Sequence, residues 1–183
     1  MDTPTQPTDH KPALAALAVA WKAYLDRCAE LEAAQRAYSK ADNLFAPGSR
    51  EVRDAEHKAS VASAGVTAAR ETLCAAAGNL LTTARALANE ANGLWKTGET
   101  EARTRWEKNA VGARLYDPQL RERDFLASPW RQALPHQHRH EEYPARLADL
   151  ADIGPEFAAR VANTAARVAQ LRAGVSALRS IKS

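Results

Sequence analysis

Apolar residues recur at alternating steps of three and four along three long stretches of this chain, and that spacing restricts it to packed helices. In the first stretch Leu14, Leu17, Trp21, Tyr24, Cys28, Leu31, Gln35 and Tyr38 form an a/d seam with one polar interruption, Gln35. Pro47-Gly48 closes it. Ser49 can cap the next helix. Its seam runs through Val52, Ala55, Ala59, Ala62, Val66, Ala69, Leu73, Ala76, Leu80, Leu87 and Leu94. The third follows the turn Ile153-Gly154-Pro155, through Phe157, Val161, Thr164, Val168, Leu171, Val175 and Leu178.

A helix with one apolar stripe must bury it, and two such helices joined by a short turn pack antiparallel. The expected fold is therefore all-α: an elongated antiparallel helical bundle of two long helices plus a C-terminal third, with short capping helices. Residues 1–12 are polar and punctuated by proline, and read as a disordered N-terminal arm. Residues 13–183 read as one helical-bundle domain. Its first helix covers 13–45, its second 50–97, short helices and loops 99–152, and the C-terminal helix 155–182. At 1.5 Å per residue the two long helices measure roughly 50 Å and roughly 69 Å, so the second overhangs the first. Gly65 and Gly78 each cost roughly 1 kcal/mol against alanine in a helix, which points to a kink or a close backbone contact.

Roughly 40 of the 183 residues are alanine, far above ordinary usage. Aromatics make up 6%. Small alanines along the second seam permit close approach of a partner helix. The aromatics gather between Trp95 and Tyr143, where Pro118, Pro129 and Pro135 interrupt the pattern. Asp117-Pro118 and Ser128-Pro129 are N-cap and first-turn pairs for two short helices, and Pro144 opens a further one to about Asp152. Trp95, Trp106, Tyr116, Phe125 and Trp130 are the candidate partner-binding residues, as the one departure from regular seams.

The formal charge is +3, too mild to argue for nucleic acid by itself. The last helix carries Arg160 and Arg167 at g positions, Arg172 and Arg179 at e positions, and then Lys182. These five could meet phosphate through counterion release. The competing expectation pairs the arginines with acids on a neighbouring helix, such as Asp26, Glu30 and Glu32.

His136-Gln137-His138-Arg139-His140-Glu141-Glu142 offers nitrogen and oxygen donors suited to zinc. His136, His138, His140, Glu141 and Glu142 are the candidate ligands, against a solvated polar loop as the competing reading. The run resembles the HxHxDH motif of metallo-β-lactamases. Glu141 replaces the aspartate, though, and that fold needs strands. Tyr38-Ser-Lys-Ala-Asp42 is similar to the YxxxD pattern of helical hairpins exported by type VII secretion, without their WxG turn. Arg114-Leu-Tyr-Asp-Pro118 with Phe125-Leu-Ala-Ser-Pro129 is similar to the YDP...FLS-P signature of Rhs-type repeat proteins, at longer spacing. Each match covers a few residues and assigns no family.

Two cysteines, Cys28 and Cys74, make no disulfide framework and read as small buried hydrophobes. The apolar run Ala13–Ala20 lacks a basic segment ahead of it and is not read as a signal peptide. The expected location is the cytoplasm, with leaderless export left open, and no stretch reaches the roughly 20 apolar residues of a membrane span. No Walker loop, GxSxG, HExxH or GxGxxG occurs, so no cofactor is expected. The sequence reads as a non-enzymatic helical interaction protein, presenting a helical surface to a protein partner or to copies of itself. It would serve as an adaptor, an assembly subunit or an accessory factor of a bacterial or phage machine. Nucleic-acid binding and metal binding are the alternatives.

Overall fold

The computed structural model describes residues 9–109, 117–136, 140–146 and 155–181. Among these the chain is all-helical, without strands. The elements are α1 (Lys11–Leu44), α2 (Arg50–Asn109), α3 (Pro118–Ala127), α4 (Pro129–Gln132) and α5 (Pro155–Ser180). No described helix is long and apolar enough to cross a membrane. The N-terminal arm up to Thr8, Tyr116, His138, Lys182 and most of the short helix expected after Pro144 lie outside the described residues. The described start of that last segment, 144–146, is not helical.

The chain divides into two compact units, where the continuous seams suggest a single domain. One unit is built on Lys11–Leu81, the other on Thr82–Ala145 with the C-terminal helix. The first is a long helix pair packed together. Between the helices Gly48 takes a φ of 75°, a left-handed conformation that a side chain would resist. Ser49 starts α2: its carbonyl accepts from Arg53 N–H at 3.1 Å, and its hydroxyl lies 3.4 Å from Val52 N–H. On α1 the residues Trp21, Tyr24, Cys28, Leu31 and Tyr38 are half-buried. Gln35 is exposed, and Ala34 takes its place at the seam. On α2 the half-buried positions are the small ones, Ala55, Ala59, Ala62, Gly65, Val66 and Ala69. A Cβ on Gly65 would lie 3.5 Å from the Arg27 Cδ, so the arginine's aliphatic stem covers this glycine.

In the second unit α2 continues unbroken through Gly93 and Gly98 to Asn109, beyond the end expected near residue 97. Gly98 does not break the helix. It forms a notch: a Cβ there would come within 2.9 Å of Leu134 Cδ2 and 3.0 Å of Val175 Cγ2. Gly174 faces the same residue from α5, where a Cβ would meet the Ala133 carbonyl oxygen at 2.8 Å. Leu134 thus sits between two glycines on two helices, and it is 2% exposed.

The short helices begin where their caps dictate. Asp117 accepts from Gln119 N–H at 2.9 Å, and Ser128 Oγ from Arg131 N–H at 3.3 Å, each followed by proline at the first helical position. Phe125 of α3 and Trp106 of α2 meet edge to face, 5.7 Å between ring centres. With Ala102, Leu134, Val175 and Leu178 they form one core, flanked by Trp95, Trp130 and Ala133.

The direction of α5 follows from its contacts. Arg172 reaches Glu90, Val175 lies against Gly98, and Arg179 reaches Glu101. Both numbers rise together, so α5 runs parallel to this part of α2. Parallel neighbours need a long return connection, and residues 110–154 supply it.

Candidate functional site

The strongest sequence candidates converge on the second unit. There the described non-helical stretches after α4, residues 133–136 and 140–146, form a strap against α2 and α5. Side chains grip its carbonyls one after another. Arg131 donates to Pro135 O at 3.2 Å and His136 O at 3.3 Å. Asn92 of α2 donates to Glu141 O at 3.1 Å, and Arg160 of α5 donates to Glu142 O. Tyr143 OH and Thr164 Oγ1 are 2.7 Å apart. A non-helical stretch has no backbone ladder of its own, so these side chains satisfy carbonyls that a helix would satisfy internally.

Arginine meets aromatic faces four times here. Arg103 lies 4.1 Å from the Phe125 ring centre, Arg160 4.6 Å from Tyr143, Arg131 4.8 Å from Trp95 and Arg121 5.7 Å from Trp106. Arg103 also pairs with Glu122, Arg121 with Glu107, and Arg160 with Glu141. Arg131 differs: it is 8% exposed, and its guanidinium is held by the two strap carbonyls and the Trp95 indole. Among the described residues it makes no ion pair.

The aromatic candidates divide clearly. Phe125 and Trp106 are core residues. Trp95 and Trp130 pack against that core, half-buried. These rings fasten the short helices to α2 and do not form an exposed platform. The described part of the His-rich run belongs to the strap. His136 is exposed. His140 Nδ1 lies 3.4 Å from Asn92 Nδ2 and 3.7 Å from Glu142. Among the described residues no group of three His, Cys, Asp or Glu side chains is arranged to hold a metal ion. The surface hollow beside the strap is lined by Glu141, Glu156, Ala159, Arg160 and Asn163.

The arginines of α5 find acids, but not those expected on the first helix. Arg172 donates through Nε (2.8 Å) and Nη2 to Glu90 Oε1, and Arg179 Nε donates to Glu101 Oε2 at 3.1 Å. Arg160 lies 3.7 Å from Glu141. Arg167 is half-buried. Glu101 is shared with Arg105, whose Nη1 also caps the end of α5 on the carbonyls of Leu178 and Ile181. That cation at a helix C-terminus satisfies orphan carbonyls and opposes the end dipole. Replacing Arg172 by alanine removes two charge-assisted hydrogen bonds from the largely buried Glu90, and should cost about 1–2 kcal/mol in urea unfolding. Arg179→Ala, at a more exposed pair, should cost under about 1 kcal/mol. Equal losses at the two sites would contradict this ranking.

Burial raises the pKa of Tyr143 above its ordinary value of 10.0, against the lowering effects of the Thr164 hydrogen bond and Arg160. The folded state therefore keeps this proton at pH values where the unfolded chain has lost it. The resulting stability is fully present below pH 10 and is lost as pH rises through the folded pKa. In a phenolate absorbance titration, the component absent from Tyr143→Phe should have its midpoint above 10. Thr164→Val should move it higher still. A component at or below 10 would refute the assignment.

Cys28 is half-buried at the α1 seam. Cys74 is exposed, so it is not the buried hydrophobe expected from sequence. The chain matches no protein-family model, no curated protein and no solved structure.

Proposed function

We propose that this chain is a non-enzymatic interaction protein that offers its long helix pair to a protein partner or to copies of itself. It would work as an adaptor, an assembly subunit or an accessory factor of a bacterial or phage machine. The reading treats α1 and the first part of α2 as an antiparallel hairpin, and α3 and α4 as capping helices. The short turn at 45–49 and the seating of Arg27 over Gly65 support the antiparallel pairing.

The carrying observation is how little the part of this unit nearest the turn buries, in contrast to its other end at Leu17, Ala20, Leu73, Ala77, Leu80 and Leu81. From Trp21 to Thr72 the described seam residues are half-buried, and only Val52 is fully so. Val19, Leu25, Leu44, Phe45 and Val61 in the same unit are large hydrophobics left exposed. Helices of this length draw most of their stability from a buried face, and a helix pair with open flanks gains by taking on another surface. The nucleic-acid alternative is weakened by Arg160, Arg172 and Arg179 already facing carboxylates.

A photo-crosslinking residue at Leu25 or Val61, in cells that make the protein, should yield discrete higher-mass adducts. The same residue at exposed Arg123 of α3 should not. Adducts from Arg123 alone, or none from the helix pair, would overturn the proposal.

A further inference from the structure

We infer that the outer face of α2 between Arg53 and Glu71 pairs with the same face of a second copy, running antiparallel about a two-fold axis. The inference rests on the interaction reading above and makes it specific.

Three turns of α2, Ala59–Ala69, carry no charged residue on any side. Ala59, Ala62, Val66 and Ala69 turn toward the seam. Ser60, Val61, Ser63, Ala64, Thr67 and Ala68 are exposed, Val61 to 58%. Thr67 Oγ1 donates to the Ser63 carbonyl at 3.2 Å, so its donor is spent inside the helix and the face is less polar than its composition suggests. A solvated helix face carries charged or polar residues, and here the polar ones are only short hydroxyls. The exposed face of α1 carries charges, Lys22, Asp26, Glu30, Arg36 and Lys40.

The charges next to the stretch, Lys58 and Arg70, are both basic and sit to either side of the outward line; on that line itself the charges beyond the two ends, Arg53 and Glu71, are opposite in sign. Arg53 and Glu71 are separated by five full turns at 3.6 residues per turn, so they lie on one line along the helix. Both are exposed, and among the described residues neither makes an ion pair within the chain. A second copy laid antiparallel, with the two-fold level with Ala62, brings Arg53 onto Glu71 twice. A parallel copy would set like charges against each other. Self-pairing requires that one face hold both halves of each contact, and this face does. A nucleic acid would need a basic stripe. A membrane surface would need large apolar groups ringed by lysine and arginine; here Val61 stands alone among small residues.

The paired stretch is roughly 27 Å long and lined by small side chains, so the contact is small and the dimer should be weak and concentration-dependent. Sedimentation equilibrium of the full chain, from about 1 μM to several hundred μM, should show reversible monomer–dimer exchange. Ala64→Lys, at an exposed helical position, should weaken the dimer about tenfold or more with unchanged helicity. Arg53→Glu and Glu71→Arg should each weaken it, and the two together should restore it, because each copy supplies both ends. A chain monomeric throughout overturns the inference, as does a dimer indifferent to Ala64→Lys, or a double swap no stronger than the singles. Should Ala64→Lys unfold the chain, the swaps at the exposed ends still decide. A monomeric wild type leaves the wider interaction reading standing, since that fails only on the crosslinking result.

Discussion

Phe125→Ala should destabilise the second unit by about 3–5 kcal/mol, the range for deleting a buried aromatic side chain. Phe125 is 0% exposed. Its ring meets Trp106 edge to face at 5.7 Å and carries Arg103 on its face. Removing it leaves a cavity walled by side chains from α2, α3 and α5, and no single element can collapse into it without unseating another. The ring is also the one buried residue of α3, so the variant should release that helix from α2. Urea unfolding followed by tryptophan fluorescence would show the loss, because Trp95, Trp106 and Trp130 all report on this core. A cost under about 1 kcal/mol would mean that α3 is not held here.

Gly174→Ala tests the approach of the strap to α5. Alanine normally stabilises a helix interior by roughly 1 kcal/mol over glycine. Here the new methyl would stand 2.8 Å from the Ala133 carbonyl oxygen and 3.4 Å from the Leu134 Cα. These are backbone atoms, and Arg131 grips the chain just beyond them at Pro135 and His136. Moving them disturbs Leu134 in its notch. The clash should win, with a net loss of about 1–3 kcal/mol. Gly93→Ala is the control: nothing lies within 4 Å of its Cβ position, so it should gain up to about 1 kcal/mol. If both variants were stabilised, the strap would not sit against α5.

How much of this was legible depends on the range of each interaction. The seams are local, since a stripe at steps of three and four states its own period. Helix locations followed from it, as did the caps at Asp117 and Ser128, whose partners lie two or three residues on. Gly98 could not be read. A glycine in a helical pattern looks like a stop until the side chain that needs the space is known, and Leu134 is 36 positions away. The arginines of α5 invited acids on a neighbouring helix. Which helix, and which acids, depended on α5 running parallel to α2, a direction that no local pattern encodes. The aromatic cluster drew attention as a possible surface because it broke the seams. It breaks them because large rings fill the junction between short helices and a long one.

By itself the sequence determined that this chain is helical, where its long helices start and turn, and most of the residues that line them. Periodicity, capping and proline act over a few residues and need no tertiary partner. Only the tertiary structure decided that Gly98 and Gly174 form a notch, that Glu90 and Glu101 receive the arginines, and that Phe125 and Trp106 face inward. Those outcomes join residues far apart in the chain, and they are chosen by steric fit and charge pairing once the helices are side by side.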